Sequence, residues 1–263
     1  MVPLGIRIYG LGAIAIGGVG LVWGDFALQW QPVAAGFPGR TALAYIFSAA
    51  LLLAGALVNV RGVAAAGSAA LATLYAAVVI FMHGPQIFQH PGAFAVWDGA
   101  AEQLALFAGA LAAYSYLSGA DDTLRPLAQF GRIAEALMGV CLLMFGLAHF
   151  LYLDFTASMV PAWLPGGQKF WAALTGVGHL AAGVAFLTGV EARLAAIALT
   201  SMFASFGALV HLHSLWAEPH NHLSWVINAI NLALTGAAWA FATLLESTPA
   251  ANSSQRVLQK PES

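Results

Sequence analysis

Long apolar runs broken by short polar stretches make up nearly the whole chain. Segments of transmembrane length lie at about Pro3 to Trp23, Ala42 to Val60, Val63 to Met82, Gly99 to Leu117, Ile133 to Leu151, Phe170 to Thr188, Leu194 to Val210 and Leu223 to Leu245. Each is close to the ~20 residues that cross a ~30 Å hydrocarbon core as helix. Open strands leave backbone groups unsatisfied in lipid, so the pattern predicts an all-α polytopic membrane protein of eight transmembrane helices. The first run follows a start carrying one arginine, as a signal peptide does, but no small-x-small cleavage pattern follows it. It is therefore read as a helix.

The runs repeat. Sliding the chain on itself by 128 residues superposes Gly55 on Gly183, His83 on His211, Pro91 on Pro219, Trp97 on Trp225 and Gln103 on Asn231. In the first loop Asp25 matches His149 at an offset of 124, which places a four-residue insertion in the second copy. The reading is a tandem duplication: a four-helix repeat over residues 1–118, a cytoplasmic linker over 119–131, a second four-helix repeat over 132–245 and a disordered cytoplasmic tail over 246–263. Four helices per copy is an even number, so the two copies run parallel, related by a pseudo-twofold axis along the membrane normal.

Composition agrees with a bilayer setting. The 263 residues are 60% hydrophobic and 8% charged, against about a quarter charged in soluble domains. A net charge of -2 without a basic cluster leaves no footprint for nucleic acid. The one cysteine, Cys141, lies inside an apolar run and reads as a packing residue, so dithiol exchange is not open to the chain alone. Arg7, Arg61, Arg125, Arg132, Arg193, Arg256 and Lys260 fall on the side of the N-terminus, with Arg40 and Lys169 opposite. That asymmetry predicts an inner-membrane protein with both termini cytoplasmic and the Pro, Trp and His-rich loops outside. Trp23, Trp30, Trp97, Trp163, Trp171, Trp216 and Trp225 read as an aromatic belt, with a quinone headgroup site as the alternative. The Gly20/Gly24 pair suits close approach of two helices within the chain.

Candidate chemistry falls into two zones. His179 lies near the midplane, about 15 Å beyond Lys169, where an ionisable side chain is costly. Asn228, Asn231 and Thr235 share a face of the last helix. Together with Thr175 and His179 they are expected to form one intramembrane polar group, a site or a register-fixing hydrogen bond. At the outer face, Asp25, His83, Asp98, Glu102, His149, His211 and His213 are candidates. If the copies meet across the axis, Asp98 and Glu102, one helical turn apart, can pair with histidines of the second copy in a proton-exchanging or cation-binding pocket. The His-x-His pairs His211/His213 and His220/His222 admit Zn, Cu or Ni ligation, or serve as neutral interfacial rings.

The run Gly146 to Phe150 with His149, the loop Val160 to Pro165, Thr175-Gly176, Ala182-Gly183 and Leu209 to Leu212 with His211 resemble the DoxX family of four-helix membrane proteins. The likeness spans Arg132 to Ala240 and, more faintly, Arg7 to Tyr114. It implies a four-helix fold and a place in quinone-coupled sulfur oxidation, respiratory oxidase assembly, detoxification or, as in eukaryotic relatives, cargo export. Many relatives carry a Glu where this chain has His179 and, in the first copy, Leu51, so a carboxylate role does not transfer. The expected function is an accessory subunit of quinone-linked membrane redox chemistry. No cofactor of its own is evident, and the partners are the bilayer and a redox or assembly protein in it. A transporter or transition-metal-handling protein, with a divalent metal in place of quinone, and an assembly factor are the alternatives.

Overall fold

The computed structural model describes residues 1–119 and 129–247. Most of the linker, with Arg125, and the tail beyond Ser247, with Arg256 and Lys260, lie outside the described residues. Helices α1 (Leu4–Trp23), α2 (Arg40–Val58), α3 (Ala64–Gln89), α4 (Phe94–Ser118), α5 (Gln129–Leu151), α6 (Leu153–Met159), α7 (Gln168–Thr188), α8 (Ala192–Ala217) and α9 (His222–Ser247) follow in order, with a 3-10 turn at Leu28–Trp30. No strand occurs among the described residues. Seven of these helices, all but α4 and the short α6, are long and apolar enough to cross a membrane.

Helix α4 departs from the expected apolar run for a physical reason. It is 25 residues long, enough to span, but carries Asp98, Glu102 and Gln103 in its N-terminal half. Its neighbours are α3, α5 and α9, so it stands inside the bundle, and Gln103, Ala105, Leu106, Ala108 and Ala110 are completely buried. Most of this helix is covered by its neighbours. Polar residues that an outer helix would expose to hydrocarbon are tolerated here.

Helices α3 and α8 run past their predicted ends at Met82 and Val210. Each passes through a π-helical stretch, Val78–His83 and Gly207–His211, then resumes as helix to Gln89 and Ala217. The extra residue in each π turn carries the helix into the outer loop region. Each loop then closes in the same way: Trp97 Nε1 donates to the Pro91 carbonyl at 2.9 Å and Trp225 Nε1 to the Pro219 carbonyl at 2.9 Å.

Packing is set by glycine at close approaches. A Cβ on Gly55 would sit 2.6 Å from the Gly10 carbonyl oxygen, and one on Gly183 would sit 2.9 Å from that of Gly139. Helices α1 and α2, and likewise α5 and α7, therefore meet backbone to backbone. Gly20 abuts Ser48 and Gly24 abuts the Tyr45 hydroxyl, both of α2, so the Gly20/Gly24 pair serves packing within the chain. Gly24 also ends α1 in the left-handed conformation, with φ 62°. Helix α1 packs on α9 while α5 packs on α4, and α4 crosses α9 at the centre. Outward faces carry Ile46, Leu53, Phe81, Ile133, Val184 and Leu194, each well exposed. Such a surface is costly in water and suited to lipid.

The two halves fill their interiors differently. In the first, Phe26 is completely buried and Trp30 is 5% exposed, and both come from the loop after α1. Arg40, paired with Asp25 and stacked 5.7 Å over the Phe26 ring, holds that loop down. The loops after α1 and α5 are equally long, residues 24–39 and 152–167, so the expected four-residue insertion is absent. Gly176 abuts His149 as Ser48 abuts Gly20, which sets His149 opposite Gly20 and not Asp25. In the second half this loop folds into α6, and a cavity remains. Trp30→Ala should destabilise the protein by ~3 to 5 kcal/mol through the void it leaves, with little effect on the second half's cavity wall beyond its edge. Thermal melts in nanodiscs measure this.

Candidate functional site

A cavity of about 660 Å3 opens in the second half, bounded by α5, α6, α7, α8 and α9 and by the outer half of α4. Its size is that of a drug-sized ligand. His179 stands at its floor, 1% exposed. The ring lies among Phe145 at 5.8 Å, Phe203 at 5.7 Å and Phe206 at 6.2 Å, with the imidazole of His149 at 4.8 Å. Aromatic walls of this kind hold a flat ring between them.

The two imidazoles share one hydrogen-bonding pattern. His179 Nδ1 lies 3.0 Å from the Thr175 carbonyl oxygen, and His149 Nδ1 lies 2.8 Å from that of Phe145, each one turn back on its own helix. A carbonyl only accepts, so Nδ1 carries the hydrogen in both rings. In the neutral imidazole Nε2 then holds the lone pair. Each Nε2 is then an acceptor, or base, on a residue that lines the cavity, which suits a ligand that donates hydrogens.

Close approach of helices brings this pair together. Gly176 of α7 lies against His149, and a Cβ there would be 2.8 Å from the His149 Cβ. Without that glycine α5 and α7 would separate and the two rings with them.

The expected single polar group of Thr175, His179, Asn228, Asn231 and Thr235 is divided. Asn231 Nδ2 donates to the Phe203 carbonyl at 3.1 Å, and Asn228 Nδ2 donates to the carbonyls of His211 at 2.9 Å and Ser224 at 2.7 Å. The Thr235 hydroxyl donates to the Asn231 carbonyl, and Thr175 to the Trp171 and Ala172 carbonyls. His179 bonds to neither asparagine. Backbone carbonyls next to the π turn of α8 have weakened helix partners and take up the amides instead. Thr175, His179 and Asn231 remain on one cavity wall, without Asn228 and Thr235.

The outer-face set is also sorted. Asp98 and Glu102 of α4 line the same cavity as His149, His179 and His211, but neither acid is hydrogen-bonded to a histidine among the described residues. Asp98 Oδ1 is buried without a hydrogen-bond partner. Asp25 is elsewhere: it pairs with Arg40 and accepts from the Phe26 amide at 2.6 Å. His83, 2% exposed, lies within 3.1 Å of the Trp30 carbonyl through Nε2 and serves the first half's packing. His213 and His220 are exposed, and His222 stacks on Trp23 at 5.0 Å. The four histidines His211, His213, His220 and His222 do not gather as a metal centre. Among the described residues no group of three or more His, Cys, Asp or Glu side chains is placed to hold a metal ion.

Two contributions are invisible in the chain order. Helix α6 supplies Phe155, Thr156 and Met159, and the first half's loop supplies Gln29 and Trp30 at the far edge. The tryptophans also part company: Trp163 and Trp216 are 71% exposed and suit an interfacial belt, whereas Trp30 and Trp171 line the cavity.

A family model described as Domain of unknown function (DUF8561) matches residues 138–244, a stretch running from within α5 to near the end of α9 that holds most of the cavity wall. No curated protein and no solved structure matches the chain.

Proposed function

We propose that this chain is an integral membrane protein whose second half binds the head of a lipid-soluble quinol, as an accessory to quinone-linked redox chemistry. The observation that carries the reading is the His149/His179 pair, with two Nε2 acceptors in an aromatic-walled cavity. A quinol brings a flat ring of matching size, hydroxyl donors for those acceptors and an apolar tail. The chain supplies binding, orientation and proton-accepting groups, and electrons would pass to a partner. The resemblance to the DoxX family points the same way. Asp98 and Glu102 on the opposite wall favour a second reading, a transporter that exchanges protons or cations through the same cavity.

The topology that goes with this reading has eight spans in two parallel four-helix repeats, with α4 the eighth. Its support is the matched packing of α1 on α2 with α5 on α7, of α3 on α4 with α8 on α9, and of α1 on α9 with α5 on α4. The asymmetry of basic residues sets both termini in the cytoplasm. Reporter fusions after Asn59, Gly119 and Leu245 should report cytoplasm, and those near Gly36, His90, Gly166 and Glu218 the outside. One outside signal among the first three breaks the arrangement.

Binding is tested by titrating the purified protein in nanodiscs with a reduced quinol while following tryptophan emission. Trp171 and Trp30 border the cavity, so saturable one-to-one quenching is expected. Quenching that rises linearly, as in empty nanodiscs with free tryptophan, would sink the proposal.

A further inference from the structure

The cavity is closed toward the bundle centre and open toward lipid. Several residues of its wall are also surface residues: Leu209 is 42% exposed, Phe155 is 68% exposed, and Ser205 is exposed. Ser205 and Leu209 stand on α8, of whose most apolar stretch only 17% is buried, less than for the other long apolar helices. The cavity therefore reaches the lipid-facing surface along α8.

Sequence explains why this pair of helices leaves an opening and its counterpart does not. In the first half, a Cβ on Gly67 of α3 would lie 2.5 Å from the Val58 nitrogen and 2.8 Å from the Leu57 carbonyl carbon of α2. The α2 and α3 backbones touch there. At the same register, 128 residues on, α8 has Ala195, whose methyl forbids that approach. Across the later α7 and α8 contact, the neighbour of Gly178 is not backbone but the Met202 sulfur, 3.3 Å from where a Cβ would stand. Methionine is unbranched and has low barriers between rotamers, so it fills a gap that can reopen. Along the same edge α8 carries small side chains, Ser201, Ala204, Ser205 and Ala208, all exposed. The π turn at Gly207–His211 begins directly beyond them.

We propose that α7 and α8 form a lateral portal at Gly178, Met202, Ser205 and Leu209, through which the ligand enters from the bilayer and its tail remains in lipid. The inference rests on the quinol reading of the cavity and adds the route and the tail. The head lies against His149 and His179, and the chain passes the Met202 side chain at mid-depth in the membrane. A ligand with no tail has no need of this gap once bound.

Two probes separate head from tail: duroquinol, which is tail-less, and a decyl-tailed quinol, each titrated in nanodiscs. Ser205→Trp puts a large ring at the portal edge from an exposed position, and Leu174→Trp does so from α7, where Leu174 is 46% exposed. Each should weaken the tailed probe at least ~10-fold more than the tail-less one. A change of the same factor for both probes in both variants would overturn the portal. If the unmodified protein binds neither probe, the quinol reading falls and the portal with it. If it binds both and the variants bind both as well as it does, the cavity reading stands and the portal alone is refuted.

Discussion

Gly236→Leu is expected to prevent α1 and α9 from docking, and with them the protein from reaching its assembled state. A Cβ at Gly236 would collide with the Tyr9 backbone, both at its nitrogen and at its Cα, and backbone has nowhere to move inside a helix. Gly12 meets the Ala233 backbone one helical turn away along the same seam. Tyr9 sits at the centre of the bundle, and its hydroxyl donates to the Leu106 carbonyl of α4 at 2.7 Å. Separating α1 from α9 therefore strips a buried hydrogen bond as well as packing. We expect a loss above ~3 kcal/mol, read as aggregation in mild detergent and a collapsed melting transition. Gly18→Leu serves as the control, because nothing lies within 4 Å of a Cβ there, and it should melt near the unmodified protein.

His179→Leu is expected to fold normally and to lose the ligand. The first half shows that leucine is accepted at this register, since Leu51 is 1% exposed in the equivalent place. The Thr175 carbonyl loses a side-chain donor but keeps its place in the helix, so stability should change by no more than ~1 kcal/mol. Removing a buried acceptor that faces a ligand hydroxyl, and the ring that stacks with it, should cost ~1.5 to 3 kcal/mol of binding, a weakening of about 10 to 100-fold. His179→Gln divides the two roles left to the imidazole. Its carbonyl still accepts a hydrogen bond, so quinol affinity should fall less than with leucine. An amide does not take a proton near neutral pH, so any proton uptake on binding should fall to what His149 alone accepts. Equal affinity for His179→Leu and the unmodified protein would remove His179 from the site.

Fold and site were legible to different depths in the chain order. Run lengths and the 128-residue shift gave the long helices and the matching of Trp97 with Trp225, because lipid demands ~20 apolar residues of any span and duplication preserves register. The polarity of α4 carried information that hydropathy misses: a helix with Asp98, Glu102 and Gln103 is one that packs among others inside the bundle. The expected outer group is only partly gathered: Asp98, Glu102, His149 and His211 line one cavity while Asp25, His83 and His213 do not, and His179, expected with the asparagines at mid-depth, lines it too. What the order could not disclose was where side chains spend their hydrogen bonds. His179 and Asn231 share a wall, yet each turns to a carbonyl, His179 on its own helix and Asn231 on α8, because backbone acceptors were nearer than each other. Nor could it disclose that Phe26 and Trp30 fill the first half, since a loop residue's inward turn depends on the Asp25 and Arg40 pair that holds the loop. Helix α6 stayed hidden too, since the loops after α1 and α5 are equally long and only the second folds into a helix that walls the cavity.

The central claim is that a quinol head lies between α5, α7 and α8 against His149 and His179. Photolabelling with an azidoquinone in native membranes, followed by peptide mapping, tests it most directly. The account predicts saturable labelling confined to peptides from Phe145 to Met159, Trp171 to His179 and Met202 to His211, displaced by unlabelled quinol and strongly reduced in His179→Leu. Labelling spread over the lipid-facing residues of all long helices, unchanged by competitor and by His179→Leu, would contradict it.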